Sequence, residues 1–380
     1  ALLAPTASPV RPLRIVLGLI NHTGAISAGA HDPRAVVFDG VARVLSARGH
    51  TVDVMYYSGQ CFASGDAAFQ AGRAGKPPAD VGVAPWFCPR PDPTALPTSA
   101  PLLVYENGFT KGSVTVDPSG LLGDSLYVPT LNDEVQAAHD DAACAAFVAA
   151  QVVVGSSKRP QSKLNASTAL PSSVVGRYIF VPTQKMADLS VTNYSNTTMV
   201  ELIDAAIIFA RDNGLPVVFK VHPALFNSSA ESTQPQPQQP QSEGDTQEAL
   251  IGQLASAHGY DGPTQTLISR AHIDYLTRGA RFTATINGGT LFDNFHTQTP
   301  VLSVGHSLFW RTDALVYDGD VQRGLRSMLD TPEWGEGRRS RQRQMVCWYR
   351  NHSLNEAQTA EENVAVLQAH LARVAPGLQL

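Results

Sequence analysis

Charge is scarce in this chain: only 16% of its 380 residues are Asp, Glu, Lys or Arg, and the formal net charge is -5. Without a basic field there is nothing to hold a nucleic-acid backbone or an anionic membrane surface, so no nucleic acid is expected as partner and a membrane surface is demoted, an anchor outside this stretch of chain being the alternative. No run approaches the roughly 18 uninterrupted apolar residues a membrane helix needs, and no membrane span is expected. Cysteine is sparse too. Cys61, Cys88, Cys144 and Cys347 are widely spaced with no CxxC pair, which argues against a zinc ribbon or redox motif and leaves room for one or two disulfides, Cys61 with Cys88 being one pairing. Several catalytic signatures are also missing: G-x-x-x-x-G-K-[ST], a G-x-G-x-x-G after the first strand, H-E-x-x-H and G-x-S-x-G. Their absence weighs against P-loop phosphotransfer, dinucleotide redox, zincin and α/β-hydrolase chemistry.

What is present is enough apolar material, 43% of the chain, for two cores of about 150 residues each. N-x-S/T sequons occur at Asn21, Asn165, Asn193, Asn196, Asn227 and Asn351. Together they point to a eukaryotic secretory lumen, Golgi included, against a cytoplasmic alternative in which the sequons are chance.

From Leu13 a continuous apolar run reads as a buried strand, RAVVFDGVARVLSARGH as a helix and TVDVMYY as the next strand. Strand, helix, strand is the signature of a parallel sheet, whose loops at the strand C-termini build binding clefts. A Pro/Gly/Ala-rich excursion (71–101), the strand LLVYENG and an Ala-rich helix over 131–151 complete a first domain, residues 1–154. Residues 155–176 read as a linker. A second βα series follows over 177–354: RYIFVP, a helix near 198–212, PVVFK, a helix near 266–278, RFTATIN, a helix from about 290 and PVLSV. The Pro/Gln-rich stretch 231–247 reads as a solvated insert without function, and 355–380 as a terminal helix. The expected fold is therefore α/β, two Rossmann-type domains with parallel sheets facing a cleft, the plan of GT-B glycosyltransferases and of other two-domain enzymes.

Four segments carry candidate chemistry. Lys220-Val221-His222-Pro223 ends a buried strand in two basic residues and a proline, presenting an imidazole able to donate to a phosphate; a solvent-facing His at an ordinary turn is the plain alternative. Asn287-Gly288-Gly289-Thr290 runs from strand through glycines into a helix, a cradle for an anion on unpaired N–H groups, or else a simple capped helix. His306 follows the next strand on the same edge. Glu106 and Asn107, with Lys111, Asp117 and Ser125 downstream, place a carboxylate directly after a buried strand, suited to acid/base work. Asp188, a little past Gln184, lies beyond the first strand of the second series; either acid is equally at home as a surface or capping residue. Asp318-Gly319-Asp320 imitates a D-x-D metal site but sits at a helix start, where capping explains it.

In this order the segments resemble the capsular-polysaccharide biosynthesis family, whose best-known members are bacterial β-Kdo transferases. The resemblance rests on Glu106, Gly108, Phe109, Lys111, Thr115, Asp117 and Gly120, on Pro182, Gln184 and Asp188, on Lys220 to Pro223, and on Asn287 to Thr290, across roughly residues 100–310. It implies a GT-B fold, a nucleotide-sugar donor, a glycan or glycoprotein acceptor, no metal or other cofactor, and transfer with retention. It also implies Asp188 as nucleophile, Glu106 as acid/base partner, and Gln184, Lys220, His222, Asn287, Gly288, Gly289 and Thr290 around the donor, His222 also serving catalysis, with Lys111 and Asp117 toward the substrate; the strand-end pattern adds His306 on the donor side and Asn107 and Ser125 on the substrate side. Asp188 orienting the donor is the alternative. Gly288 and Gly289 stand where the family has hydroxyl residues, and Lys111 where it has Arg; losing the guanidinium fork admits a neutral donor sugar. Two rivals share the pattern: a non-hydrolysing nucleotide-sugar epimerase and an inactive lumenal glycan-binding homologue.

Overall fold

A computed structural model describes residues 11–21, 33–58, 76–86, 96–110, 112–137, 144, 146, 170–225, 243–331 and 334–380. The chain divides into two compact units, taken in turn below. Unit 1 comprises the described parts of 1–108, 112–126 and 351–380; unit 2 comprises those of 109–111 and 127–350.

Unit 1 is built on a six-stranded sheet. Its strands are β1 (Arg14–Asn21), β2 (Thr51–Ser58), β3 (Val81–Pro85), β4 (Leu102–Asn107), β5 (Ser113–Asp117) and β12 (Ser353–Asn355), in the order β12-β5-β4-β3-β1-β2. The first four run parallel. β5 is antiparallel to both β4 and β12, a departure from the all-parallel expectation. The cause is loop length: five residues between β4 and β5 suffice for a hairpin but not for a crossover helix. Helices α1 (Pro33–Ala47) and α10 (Ala360–Val374) pack together on this sheet, burying Phe38, Val41, Val364 and Leu367 with Leu103 and Tyr105. Thr359 and Glu362 close a capping box at the start of α10.

Unit 2 carries a second six-stranded sheet, wholly parallel: β6 (Ile179–Pro182), β7 (Val217–Lys220), β8 (Thr266–Ile268), β9 (Phe282–Thr285), β10 (Val301–Ser303) and β11 (Val316–Tyr317). Their order is β11-β10-β9-β6-β7-β8. Read from the far edge this is 3-2-1-4-5-6, the doubly wound arrangement whose strand order reverses between its first and fourth members, here β6 and β9. Side chains alternate across it. Ile179, Val181, Val217, Phe219, Phe282 and Ala284 face a core with α4 (Met199–Asp212) and α8 (Val321–Asp330). Phe180 and Val218 face the opposite side with Leu276 of α6 (Ile273–Gly279). On that side Thr283 donates its hydroxyl to Asn294 of α7 (Thr290–Thr297) at 2.7 Å. Cys144 and Cys347 form a disulfide within unit 2; Cys61 and Cys88 lie outside the described residues.

Several expectations are corrected. The change of unit falls at 126/127, and the chain returns to unit 1 at 351, so the tail contributes a strand as well as a helix. Of the stretch read as linker, 155–169 lies outside the described residues, whereas Leu170 and Val174 are buried in unit 2. The helix expected over 131–151 is described as α2 (Leu131–Ala137), most of its remainder being outside the described residues. The span 266–278 is β8 followed by α6, because Ser269 to His272 turn the chain between them. The insert's last five residues open the helix α5 (Glu243–Ala257), and β3 arises inside the stretch read as an excursion.

Candidate functional site

The expected donor residues gather at the C-terminal edge of the unit 2 sheet. Pro182 pairs with Lys220, and Phe180 with Thr283, in parallel register. Continuing both ladders puts Gln184 level with His222 on one flank and Asn287 on the other, about 4.8 Å apart strand to strand. Direct bonds bear this out on the Asn287 flank. Gln184 Nε2 donates to Asn287 Oδ1 at 3.2 Å, and Gln184 Oε1 accepts from Asn287 N–H at 3.2 Å. Gly288 follows under close constraint, since a Cβ there would stand 3.0 Å from Gln184 Cδ. The segments around residues 222 and 287–290 thus share one edge of one sheet.

Asn287 is therefore a structural clasp: its Nδ2 also donates to Ser190 O at 2.5 Å. The amides of Gly288, Gly289 and Thr290 are different. They begin α7 and donate to nothing among the described residues, and Gly289 at the N-cap supplies no side-chain cap. Such amides, with the positive end of the helix dipole behind them, form an anion site. Thr285, on the same sheet face as Thr283, has its hydroxyl oxygen buried without a partner.

Lys220 is 7% exposed and donates from Nζ to Ala271 O at 2.7 Å. Burial, helped by the nearby Arg270 charge, lowers its pKa to about 8, so the amine is charged at neutral pH but readily discharged above it. His222 is half-buried two residues on. His306 lies past β10, its N–H donating to Tyr194 O at 2.7 Å.

Asp188 is the N-cap of the short helix α3 (Leu189–Tyr194), Oδ1 accepting from Ser190 N–H at 2.9 Å. Its Oδ2 accepts no bond among the described residues. Because Asn287 holds Ser190, the loop of Asp188 is tied to the residue that precedes the free amides.

In unit 1, Glu106 is half-buried at the end of β4 and accepts from Asn107 N–H at 2.7 Å. Asp117 is different from what its position suggested. It is 1% exposed and spent on its own loop: Oδ1 accepts from the amides of Ser119, Gly120 and Leu126, and Oδ2 from the Ser125 hydroxyl. Burial raises its pKa while those bonds oppose the shift. Asp117 and Ser125 are thus bound to each other and to the turn, which leaves neither carboxylate oxygen of Asp117 for a substrate. Lys111 lies outside the described residues. Asp320 caps α8 through Arg323 N–H and Asp318 pairs with the Arg323 guanidinium, so the D-x-D look-alike is a capping device. Among the described residues no cluster of three or more His, Cys, Asp or Glu is arranged to hold a metal ion, and no helix is long and apolar enough to cross a membrane.

One residue that matters here sits in the stretch dismissed as a solvated insert. Gln247 of α5 is 1% exposed; its Nε2 donates to Gln184 O at 2.8 Å and its Oε1 accepts from Thr183 Oγ1–H at 2.6 Å. The strand-end segment bearing Gln184 is held by this amide. Its sequence signal was weak, a glutamine among glutamines.

No family model matches the chain, and no curated protein matches it. Solved structures similar to it include the β-Kdo 2,7 transferase KpsC of Thermosulfurimonas dismutans (13% identity over 88% of this chain and 89% of that one, TM-score 0.47). Others are the UDP-GlcNAc 2-epimerase of Methanocaldococcus jannaschii in complex with UDP-GlcNAc and UDP (9%, 87% and 98%, TM-score 0.35) and Anabaena Alr3699/HepE in complex with UDP and glucose (12%, 94% and 100%, TM-score 0.36).

Proposed function

We propose that unit 2 binds the phosphate of a nucleotide-sugar and that the chain is a metal-independent, GT-B-like glycosyltransferase acting on a glycan or glycoprotein. The observation that carries this reading is the row of unpartnered Gly288, Gly289 and Thr290 amides at the strand-order reversal, with Lys220 and His222 on the same sheet edge. Phosphate charge is met there by main-chain dipoles, an ammonium and an imidazole, which supports transfer without a cation.

Asp188 Oδ2 attacks the anomeric carbon as the sugar–phosphate bond breaks, His222 donating a hydrogen bond to the departing nucleotide. The acceptor hydroxyl, its proton passing to a general base, then displaces Asp188, so configuration is retained. A secretory lumen is the proposed compartment. The Cys144–Cys347 disulfide and the exposed asparagines of three sequons, Asn193, Asn196 and Asn351, support it.

Calorimetry with CMP-, UDP- and GDP-sugars tests the site: the wild type binds at least one, and Thr290→Pro with His222→Ala abolishes binding while the circular dichroism is kept. Failure of the wild type to bind any of them refutes the proposal. Incubating donor without acceptor tests the chemistry, since an epimerised nucleotide-sugar would mean an epimerase and a glycosyl adduct on Asp188 a retaining transferase.

A further inference from the structure

Beside the candidate phosphate site, at the C-terminal ends of β10 and β11, three rings converge. His306 lies 4.4 Å from Trp310, centroid to centroid and tilted by 31°, and 5.4 Å from Tyr317; Trp310 and Tyr317 meet edge to face at 5.0 Å. The Arg311 guanidinium covers Trp310 at 4.4 Å. All three rings are half-buried, so part of their surface still reaches solvent. The loop that carries them is fixed. Gly305 N–H donates to Ile286 O at 2.9 Å, and a Cβ at Gly305 would stand 2.7 Å from Ile286 Cγ2 and 3.1 Å from Tyr194 O. Asp318, the acid beside Tyr317, is paired with Arg323, so no free carboxylate faces the cluster from its own strand.

Taking the Gly288–Thr290 amides as the phosphate site, β10 is one strand and β11 two strands further along the edge, about 5 and 10 Å. That is the reach of a nucleotide from phosphate to base, and what waits there is a cluster of three rings with the Arg311 guanidinium over one of them. We propose that His306, held in place by Trp310 and Tyr317, is the platform on which the donor's nucleobase stacks. The inference rests on the phosphate reading and adds a base-recognition residue to it. Stacking of a base on an aromatic side chain is sequence-tolerant and strengthens binding by about 5- to 150-fold. Trp310 is a positioning residue that holds the imidazole in place.

The test compares pyrophosphate, ribose 5-phosphate, CMP, UMP, GMP and AMP by calorimetry on the full chain. In the wild type at least one nucleotide binds 5-fold or more tighter than ribose 5-phosphate. In His306→Ala that advantage disappears while pyrophosphate affinity stays within 2-fold, and in His306→Phe the advantage returns. A base advantage that survives His306→Ala overturns the platform and leaves the phosphate site standing. Loss of pyrophosphate binding in His306→Ala also overturns it, since the residue would then be shaping the loop. A wild type that binds none of these probes overturns the phosphate reading and the platform with it.

Discussion

His296 of α7 is 5% exposed, and neither ring nitrogen has a hydrogen-bond partner. Its nearest aromatic neighbour, Phe292, meets it edge to face at 4.9 Å. Burial lowers its pKa to about 3, with the Arg278 charge adding to the effect. In the unfolded chain the same imidazole takes a proton near pH 6.5. Because the folded value lies below the unfolded one, the folded state excludes a proton that the unfolded state binds. The stability contributed by neutral His296 is therefore complete above pH 6.5 and is lost as pH falls from 6.5 toward 3. Each pH unit in that window costs about 1.4 kcal/mol, or about 2 kcal/mol by pH 5. His296→Leu removes the titration and two orphaned polar atoms together, so it stabilises at pH 7.5 and stabilises by about 2 kcal/mol more at pH 5. Urea titrations followed by tryptophan fluorescence measure this, since Trp310, Trp334 and Trp348 all lie in unit 2. A stability difference between variant and wild type that stays constant from pH 7.5 to 5 would refute the reasoning, because it would mean His296 finds a proton acceptor in the fold.

Gln247→Leu leaves Gln184 O unpaired and the Thr183 hydroxyl with only its long 3.4 Å bond to Lys220 O, and is expected to weaken nucleotide binding 10-fold or more, whereas a purely structural role would lower the melting temperature with affinity unchanged. The Lys220 amine discharges near pH 8, so pyrophosphate affinity falls between pH 7 and 9 in the wild type; in Lys220→Met it is lower and flat over that range, and a parallel decline in the variant would refute the assignment. Cys144 and Cys347 close a loop 203 residues apart in sequence, which on chain-entropy grounds stabilises unit 2 by up to about 5 kcal/mol. Unfolding of Cys144→Ala/Cys347→Ala at a lower urea concentration is the expected result, and an unchanged midpoint the opposing one.

The parallel strands were legible because strands covered on both faces must be apolar throughout, as LRIVLGLI, RYIFVP and PVVFK are. β3 escaped because its five residues, VGVAP, are bracketed by the prolines and glycines that mark loops. α5 escaped because its sequence EGDTQEALIGQLASA buries only Gly244, Gln247, Ile251 and Ala255, too thin a stripe to rise above the polar stretch before it. At the site, strand–glycine–helix announced the α7 amides, since that pattern is a backbone property. What side chains do there was hidden. Asn287 looks like a phosphate ligand and is a clasp, and Asp117 looks like a cleft acid and is the hub of a turn, because both assignments depend on partners distant in sequence or on a turn that only folding brings round them.

The return of residues 351–380 to the first sheet has a consequence for biosynthesis. Unit 2 is nearly contiguous in sequence, whereas unit 1 lacks its edge strand and its α10 helix until residues 351–380 have been made. The usual vectorial order, in which the N-terminal domain matures first, is thereby reversed. A chain cut after residue 350 would keep every strand of the second sheet and leave the first without its edge strand.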